Sequence, residues 1–421
     1  MRNMRNKVFT TLFYCFLLSA CAAAPETAST TQTAAATAAA NVEAGSIAAV
    51  ETPEPLVLTV WIPDTFAGPS AAQSHKLLED QITAFESSHP GLDVAVRYKN
   101  IRPSQGMSDL LSTTYRVAPA LLPDLVLLDQ ADMESSAVKG MILPLDGLAE
   151  IASRNRLLPS FMSPAVIQGS SFALPAVGDA LLLLNDQPGS SENTWQAIQN
   201  RGERVAAGLN DADGTLFVAL YLAQGGRLLD ASNRPNVDAA ALKDVLTFIR
   251  QSGSARVFTD LSLHAGWVES AQEYAAGDAN VQVNWYSYAD TVSMDGQQIS
   301  ALPGISDTPA TLVTGWYWAS ANQAASHAEA RGLLLAALTE PGFASPWCFT
   351  SGYLPVSQDS WPSLLPGQST LPTILSSARA LPDSALLATV GPILREAAVR
   401  AMTTTDDIDE IAASVIERIN Q

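Results

Sequence analysis

The sequence predicts an α/β protein built in two lobes, and three observations carry the prediction. The first is length. A chain of 421 residues that is 47% hydrophobic and only 15% charged exceeds what one core usually organises and has apolar material for two. The second is the apolar, β-branched run Leu56-Val57-Leu58-Thr59-Val60-Trp61-Ile62, closed by Pro63, the pattern of a strand buried on both faces. The third is the alternation after that run. Leu77, Leu78, Ile82 and Phe85 recur at helical spacing across Lys76 to Ser88, His89-Pro90-Gly91 stops that helix, and Leu92 to Tyr98 reads as a second strand. A helix near Ser108 to Arg116 and a strand from Leu125 to Leu128, introduced by Pro123-Asp124, repeat the pattern. Strand, helix, strand in succession predicts a right-handed parallel sheet, which offers a ligand the crevice beyond the carboxyl ends of its strands.

The N-terminus predicts export. Arg2, Arg5 and Lys7 precede an apolar stretch from Val8 to Leu18 that is too short to cross a bilayer. Leu18-Ser19-Ala20-Cys21 follows directly and looks like a bacterial lipobox, with Cys21 becoming the first residue and taking a diacylglyceryl group. Residues 1–20 are then the lipoprotein signal peptide. Residues 21–55 are a lipidated Cys and an Ala/Thr-rich tether without an aromatic residue, too poor in large apolar side chains to fold alone. Several acyl chains hold a soluble body on a membrane where one chain would not.

Composition excludes some functions. Twenty-three Lys and Arg against 42 Asp and Glu leave a net charge of −19, so no basic surface is available for nucleic acid. Of three cysteines, Cys15 lies in the signal and Cys21 at the lipid site, leaving Cys348 alone between Trp347 and Phe349. No disulfide framework or paired-cysteine metal site can be written, and a lone Cys in apolar company reads as a buried hydrophobe. His75, His89, His264 and His327 fall in no metal-ligand or nucleophile-turn spacing. Neither a metal nor a cofactor is implied.

Beyond these local readings, ordered blocks resemble the family 1 extracellular solute-binding proteins. They run from Ala84-Phe85-Glu86 and His89-Pro90-Gly91-Leu92-Asp93-Val94, through Leu122-Pro123-Asp124-Leu125-Val126 and Gly140-Met141-Ile142-Leu143-Pro144-Leu145-Asp146, to Phe172-Ala173-Leu174-Pro175 with Leu182-Leu183-Leu184-Asn185 and Asn193-Thr194-Trp195. Gly225-Gly226-Arg227-Leu228-Leu229-Asp230, Ala275-Ala276-Gly277-Asp278 and a terminal segment from Asp406 to Asn420 continue the order. The resemblance covers Leu56 to Gln421 and implies a two-lobed periplasmic-binding-protein fold of type II, with a ligand cleft between lobes joined by multiple hinge crossings. Crossings are expected near Pro175 to Asp179, Thr311 to Gly315 and Gly352 to Pro355. The N-lobe is then residues 56–177 plus 314–352, and the C-lobe 178–313 plus 353–421. Such lobes close around a ligand as rigid bodies.

The resemblance also implies a function: a monomer that captures a mono- or oligosaccharide and hands it to the permease subunits of an ABC importer, without catalysis. Sugar recognition needs aromatic faces for C–H surfaces and carboxylates or amides for hydroxyls, within a concave site. Trp285-Tyr286-Ser287-Tyr288 comes after the expected strand Val281 to Asn284, and Trp316-Tyr317-Trp318 sits at the second crossing. On a strand Trp316 and Trp318 share a face and Tyr317 points away. Trp285, Tyr286, Trp316 and Trp318 are therefore the aromatic candidates, each with core packing as the alternative. Asp64, Asp129, Gln130 and Asp179 are the polar candidates, implied by loop positions where the family meets ligand; for the carboxylates, helix capping is the alternative. The family's best-known member carries an aromatic residue where this chain has Leu128, so the same sugar is not implied. Glu134, Glu269 and Glu273 are expected to be surface charges. A glycerol phosphate ligand would need a cation such as Arg97, Lys99 or Arg102. Two rival functions use the same cleft: an adaptor presenting ligand to a sensor protein, and a glycoside-acting enzyme built on two carboxylates.

Overall fold

Leu56–Pro63 forms the first strand, β1, of a computed structural model that describes residues 54–67, 72–101, 106–145, 147, 150–151, 155–185, 194–288, 298–306, 308–358, 361 and 369–420. Cys21, the signal and the tether lie outside the described residues, and Pro53–Gln421 make one compact unit. Helix α1 (Ala72–Ser88) begins before the expected Lys76 and buries Leu78, Ile82 and Phe85 on one stripe. The chain then turns at Gly91, whose φ of 97° suits glycine, and enters β2 (Leu92–Lys99). Helix α2 (Met107–Val117), β3 (Leu125–Asp129) and α3 (Gln130–Val138) come next, as the alternation predicts.

The sheet is mixed rather than parallel. After α4 (Pro159–Met162) and the short hairpin β4 (Val166–Ile167) and β5 (Ser170–Ser171), the 13-residue strand β6 (Ala173–Asn185) is buried along its whole length. β7 (Val205–Ala207), β8 (Val281–Trp285), β9 (Gln298–Ala301), β10 (Leu312–Ala319) and β11 (Arg379–Ala380) complete the set. Nine strands form one sheet in the order β2-β1-β3-β10-β6-β8-β7, with β11 beside β10 and β9 beside β6. β1 is parallel to β2 and β3, but β10 inserts antiparallel between β3 and β6. Parallel pairing follows strand-helix alternation in the first three strands and again between β7 and β8; β10 arrives from far along the chain, so no βαβ crossover sets its direction.

Two main cores are built on this sheet. Alternate residues of β6 serve opposite faces: Leu181 and Leu183 join a core built on the C-terminal half, whereas Leu182 and Leu184 join a core that extends across the N-terminal half. α5 (Trp195–Arg201), α6 (Thr215–Ala223), α7 (Ala239–Ser254), α8 (Trp267–Ala275), α12 (Ser384–Thr403) and α13 (Ile408–Ile419) surround the first. α1, α9 (Ala328–Leu338), α10 (Pro341–Thr350) and α11 (Leu371–Ser377) cover the second. A third cluster, holding Trp61, Leu128 and Tyr317, packs the other face of the N-terminal half.

The segments expected to cross between lobes lie side by side. Gly315 pairs with Gly178 in β10 and β6, and Gly178 exchanges backbone hydrogen bonds with Leu354 at 2.7 and 2.8 Å. A Cβ on Gly315 would stand 2.3 Å from the Val177 carbonyl oxygen, and one on Gly178 would stand 2.6 Å from the Phe161 ring, so both positions require glycine for close approach. β11 adds a fourth pass against β10. Past Leu354 the chain runs beside residues 156–158, through bonds from Leu158 to Val356 and from Gln358 to Arg156.

Two carboxylates expected on the surface are buried. Glu134 accepts from Gln130 and from the Ser384 backbone, which tie α3 to the start of α12. Glu273 accepts from the Thr259 hydroxyl. Both have found donors from elements distant in sequence, which a solvated charge would not need. Glu269 is exposed and accepts from the Gly266 backbone N–H at the start of α8.

Candidate functional site

β10 runs through the middle of the sheet and is buried everywhere except at Thr314 and Trp316, which are half-buried. The two share a face, so that face of the strand is incompletely covered at this point. Trp316 stands opposite Asp129 on β3, and Thr314 stands opposite Asp179 on β6. Two carboxylates therefore flank one aromatic ring and one hydroxyl, beside the Gly178, Gly315 and Leu354 junction.

More aromatic rings gather around Trp316. Phe66 presents its edge at 5.4 Å between centroids and 88° between planes, and Tyr353 stacks on Phe66 at 5.6 Å and 18°. The Trp316 side chain is near enough to the Tyr353 phenol to favour its ionised form. Burial nonetheless pushes that phenol well above its ordinary value, and the nearby Asp179, Tyr288 and Asp129 act in the same direction as burial. Tyr288, 45% exposed, is also raised by burial first and then by Asp179 and Asp211. Phe66, Trp316, Tyr353 and Tyr288 thus share one neighbourhood with Asp129 and Asp179.

The two carboxyls differ in what they have left to offer. Asp129 ends β3 and caps α3, accepting from the Asp132 N–H at 2.7 Å. Burial, aided by the charge of Asp132, raises it to about 6 despite that bond. Asp179 is 7% exposed and accepts from the Ala180 N–H at 2.9 Å, the Ser287 N–H at 3.1 Å and the Ser287 hydroxyl. Its burial also outweighs these donors and raises it to about 6. Its acceptor capacity holds the turn Tyr286–Tyr288 against β6, whereas Asp129 remains half-buried beside Trp316.

The other sequence candidates divide. Asp64, half-buried at the start of the turn after β1, accepts from Asn100 at 2.6 Å and leads two residues later to Phe66. Gln130 is 4% exposed: it donates to Glu134 at 2.8 Å and to the Leu381 carbonyl at 3.1 Å, and accepts from Thr314 at 3.0 Å. It is a clamp behind the opening. Trp318 is fully buried and stacks on Trp347 at 6.1 Å, on the same face as Trp316, while Tyr317 faces the opposite core. Trp285 is the last residue of β8 rather than one beyond it, buried in the C-terminal core with its ring 6.5 Å from Trp267 at 77°. Tyr286 is buried too.

Phe66, Thr314 and Tyr353 were not among the sequence candidates. Tyr353 could have been reached, because it comes directly after Gly352 within the third expected crossing; Phe66 carries no signal beyond its nearness to Asp64. Among the cations considered for a phosphate, Arg97 is exposed, the Lys99 ammonium sits 4.1 Å over the Trp61 ring, and Arg102 lies outside the described residues. Cys348 is fully buried, donates to the Ala176 carbonyl, and has its thiol pushed up by burial, which leaves little nucleophilic thiolate. Among the described residues no group of three or more His, Cys, Asp or Glu is placed to hold a metal ion, and no helix is long and apolar enough to cross a membrane.

A mixed sheet joining two helix-covered cores, with aromatic rings and carboxylates at the junction, defines a two-lobed binding fold. The profile of the family described as bacterial extracellular solute-binding protein matches residues 80–363, more than half of the chain, and the protein belongs to that family. Solved structures similar to it include the sugar-binding protein MalE from Xanthomonas citri (18% identity, TM-score 0.69, covering 86% of this chain and 96% of that one). The cyclic alpha-maltosyl-1,6-maltose binding protein from Arthrobacter globiformis is similar at 17% identity and TM-score 0.68, over 87% of this chain and 98% of that one. A cyclo/maltodextrin-binding protein complexed with maltotetraose is similar at 14% identity and TM-score 0.70, over 88% and 98%. These likenesses show the two-lobed fold. No curated protein matches the chain.

Proposed function

We propose that this protein captures a mono- or oligosaccharide at the junction of its lobes and delivers it to the permease subunits of an ABC importer, without chemical change. The single observation that carries the reading is the opening of β10 at Thr314 and Trp316, with Asp129 opposite and Phe66 and Tyr353 alongside. A half-buried indole offers its face to the C–H surface of a sugar ring, and Asp129 and Thr314 are placed for hydroxyls. The names of the structural neighbours, which include maltodextrin- and sugar-binding proteins, support the same ligand class. Asp179 is spent on holding the Tyr286–Tyr288 turn, which favours capture over two-carboxylate catalysis.

The lobes proposed are residues 56–177 with 314–352 and residues 178–313 with 353–421, hinged at the adjacent Gly178, Gly315 and Leu354. The monomer is proposed to be exported and lipid-anchored through Cys21, on the outer face of the cell membrane or its periplasmic side. A thermal-shift screen against a carbohydrate library tests the ligand class: a true ligand at 100 times its dissociation constant adds about 2.7 kcal/mol of stability. Calorimetric titration of the hit against Trp316→Ala then tests the site. Full affinity in that variant would reject the Trp316 site; no stabilisation by any sugar would reject the ligand class.

A further inference from the structure

A separate groove of about 480 Å³ lies on the C-terminal half and shares no residue with the Trp316 neighbourhood. Helices α5 and α7 form its walls. Gln196 and Gln199 stand one turn apart on α5, and Asp244, Thr247 and Gln251 recur along one face of α7. Trp195 and Phe248 meet between them with ring centroids 5.5 Å apart and planes tilted by 51°. Gln224, just past α6, donates to Asp244 at 3.0 Å, while its buried amide oxygen has no hydrogen-bond partner among the described residues.

This lining has a definite chemical preference. Its volume falls in the range of small-molecule sites. The four glutamine amides each carry both donors and acceptors, which suits hydroxyl groups that both give and take. Neither Lys nor Arg lines the groove, and Asp244 is its one charge, so an anionic ligand would be repelled. Phe248, half-buried against the buried Trp195, supplies apolar surface for C–H groups.

We infer that this groove is a second carbohydrate-binding site, taking a neutral oligosaccharide segment outside the cleft. It does not depend on what the cleft holds. Hydrogen exchange on the full chain, with maltotetraose, cellotetraose, xylotetraose and mannotetraose as probes, tests it. At least one probe should slow exchange in residues 195–201 and 239–254, and should do so equally in Trp316→Ala, whose cleft is impaired. Thr247→Trp fills the groove from an exposed position, and Gln199→Ala with Gln251→Ala removes exposed amides; each should weaken that protection about tenfold or more, a change of about 1.4 kcal/mol. Unaltered circular dichroism would show that these surface variants fold. Absence of protection with every probe, loss of protection in Trp316→Ala, or persistence in Thr247→Trp would each overturn the second site.

Discussion

Trp285 at the end of β8 and Trp316 on β10 are each followed by a tyrosine, yet the two tryptophans end in different surroundings. Trp285 closes β8 inside the C-terminal core against Trp267, whereas Trp316 lies in mid-strand on β10 and stays half-open. Residue type is alike, so it does not decide exposure. What differs is cover: helix α8 packs over β8 and β7, bringing Trp267 to Trp285, while Thr314 and Trp316 on β10 stay half-buried. Of these two strand tryptophans, the one whose strand passes between cores is the one left half-exposed.

The largest effect expected from this contrast is on stability. Trp318→Ala and Trp285→Ala both empty a packed site, and each should destabilise the protein by about 3–5 kcal/mol in urea unfolding. Trp316→Ala should lose far less stability and instead weaken sugar binding by about 2 kcal/mol, roughly thirtyfold. The contrast breaks if Trp285→Ala abolishes binding at near-normal stability, or if Trp316→Ala unfolds the chain while the residual folded fraction binds normally.

A second comparison is between the two raised carboxyls. Asp179 is the more enclosed, and its folded value of about 6 lies above the ordinary 3.8. The folded state therefore holds a proton on Asp179 at pH values where the unfolded chain has lost it. Native protein binds more protons in the window between about pH 4 and pH 6, so this group's contribution to stability falls as pH rises through that window. Asp129 acts with the same sign, but its partial exposure to solvent reduces the effect. Asp179→Asn should flatten the pH dependence of the thermal midpoint between about pH 4 and pH 7 more than Asp129→Asn does. An equal or reversed ranking would show that the enclosure of Asp179 is not what sets it apart.

Local pattern made much of this molecule legible. The β1 run, the α1 stripe with its Gly91 stop, β2 and β3 depend on side chains a few positions apart, and each was readable before any tertiary contact. The antiparallel insertion of β10 was not, because its neighbours β3 and β6 lie far away along the chain. The candidate site is legible in part: alternation along a strand puts Trp316 and Trp318 on one face, whereas Asp129 is reached only through the family resemblance. Gln130 and Glu134 looked free because the groups that close them, the Leu381 carbonyl and the Ser384 N–H, stand about 250 residues away. Phe66 and Tyr353 meet only through folding, across nearly 300 positions, and local spacing holds no trace of that contact.

The smallest expected effect concerns how Trp316 is held. Tyr353 meets the Trp316 neighbourhood in two ways: its ring stacks on Phe66, and its phenol oxygen lies near enough to the Trp316 side chain for a polar interaction. Tyr353→Phe keeps the first and removes the second. Because the ring remains in place, the packing around Phe66 should survive and stability should change by only about 0.5–1.5 kcal/mol, the usual net worth of one hydrogen bond. The indole would then be free to rotate, so binding should weaken less than in Trp316→Ala, by up to about tenfold, with a shift in tryptophan fluorescence before ligand is added. Tyr353→Ala removes both contacts and should cost more in each measurement. If Tyr353→Phe leaves affinity and fluorescence untouched while Tyr353→Ala lowers stability alone, Trp316 is positioned by Phe66 and β10 without help from the phenol, and Tyr353 belongs with Trp318 and Trp285 among the rings that pack rather than bind.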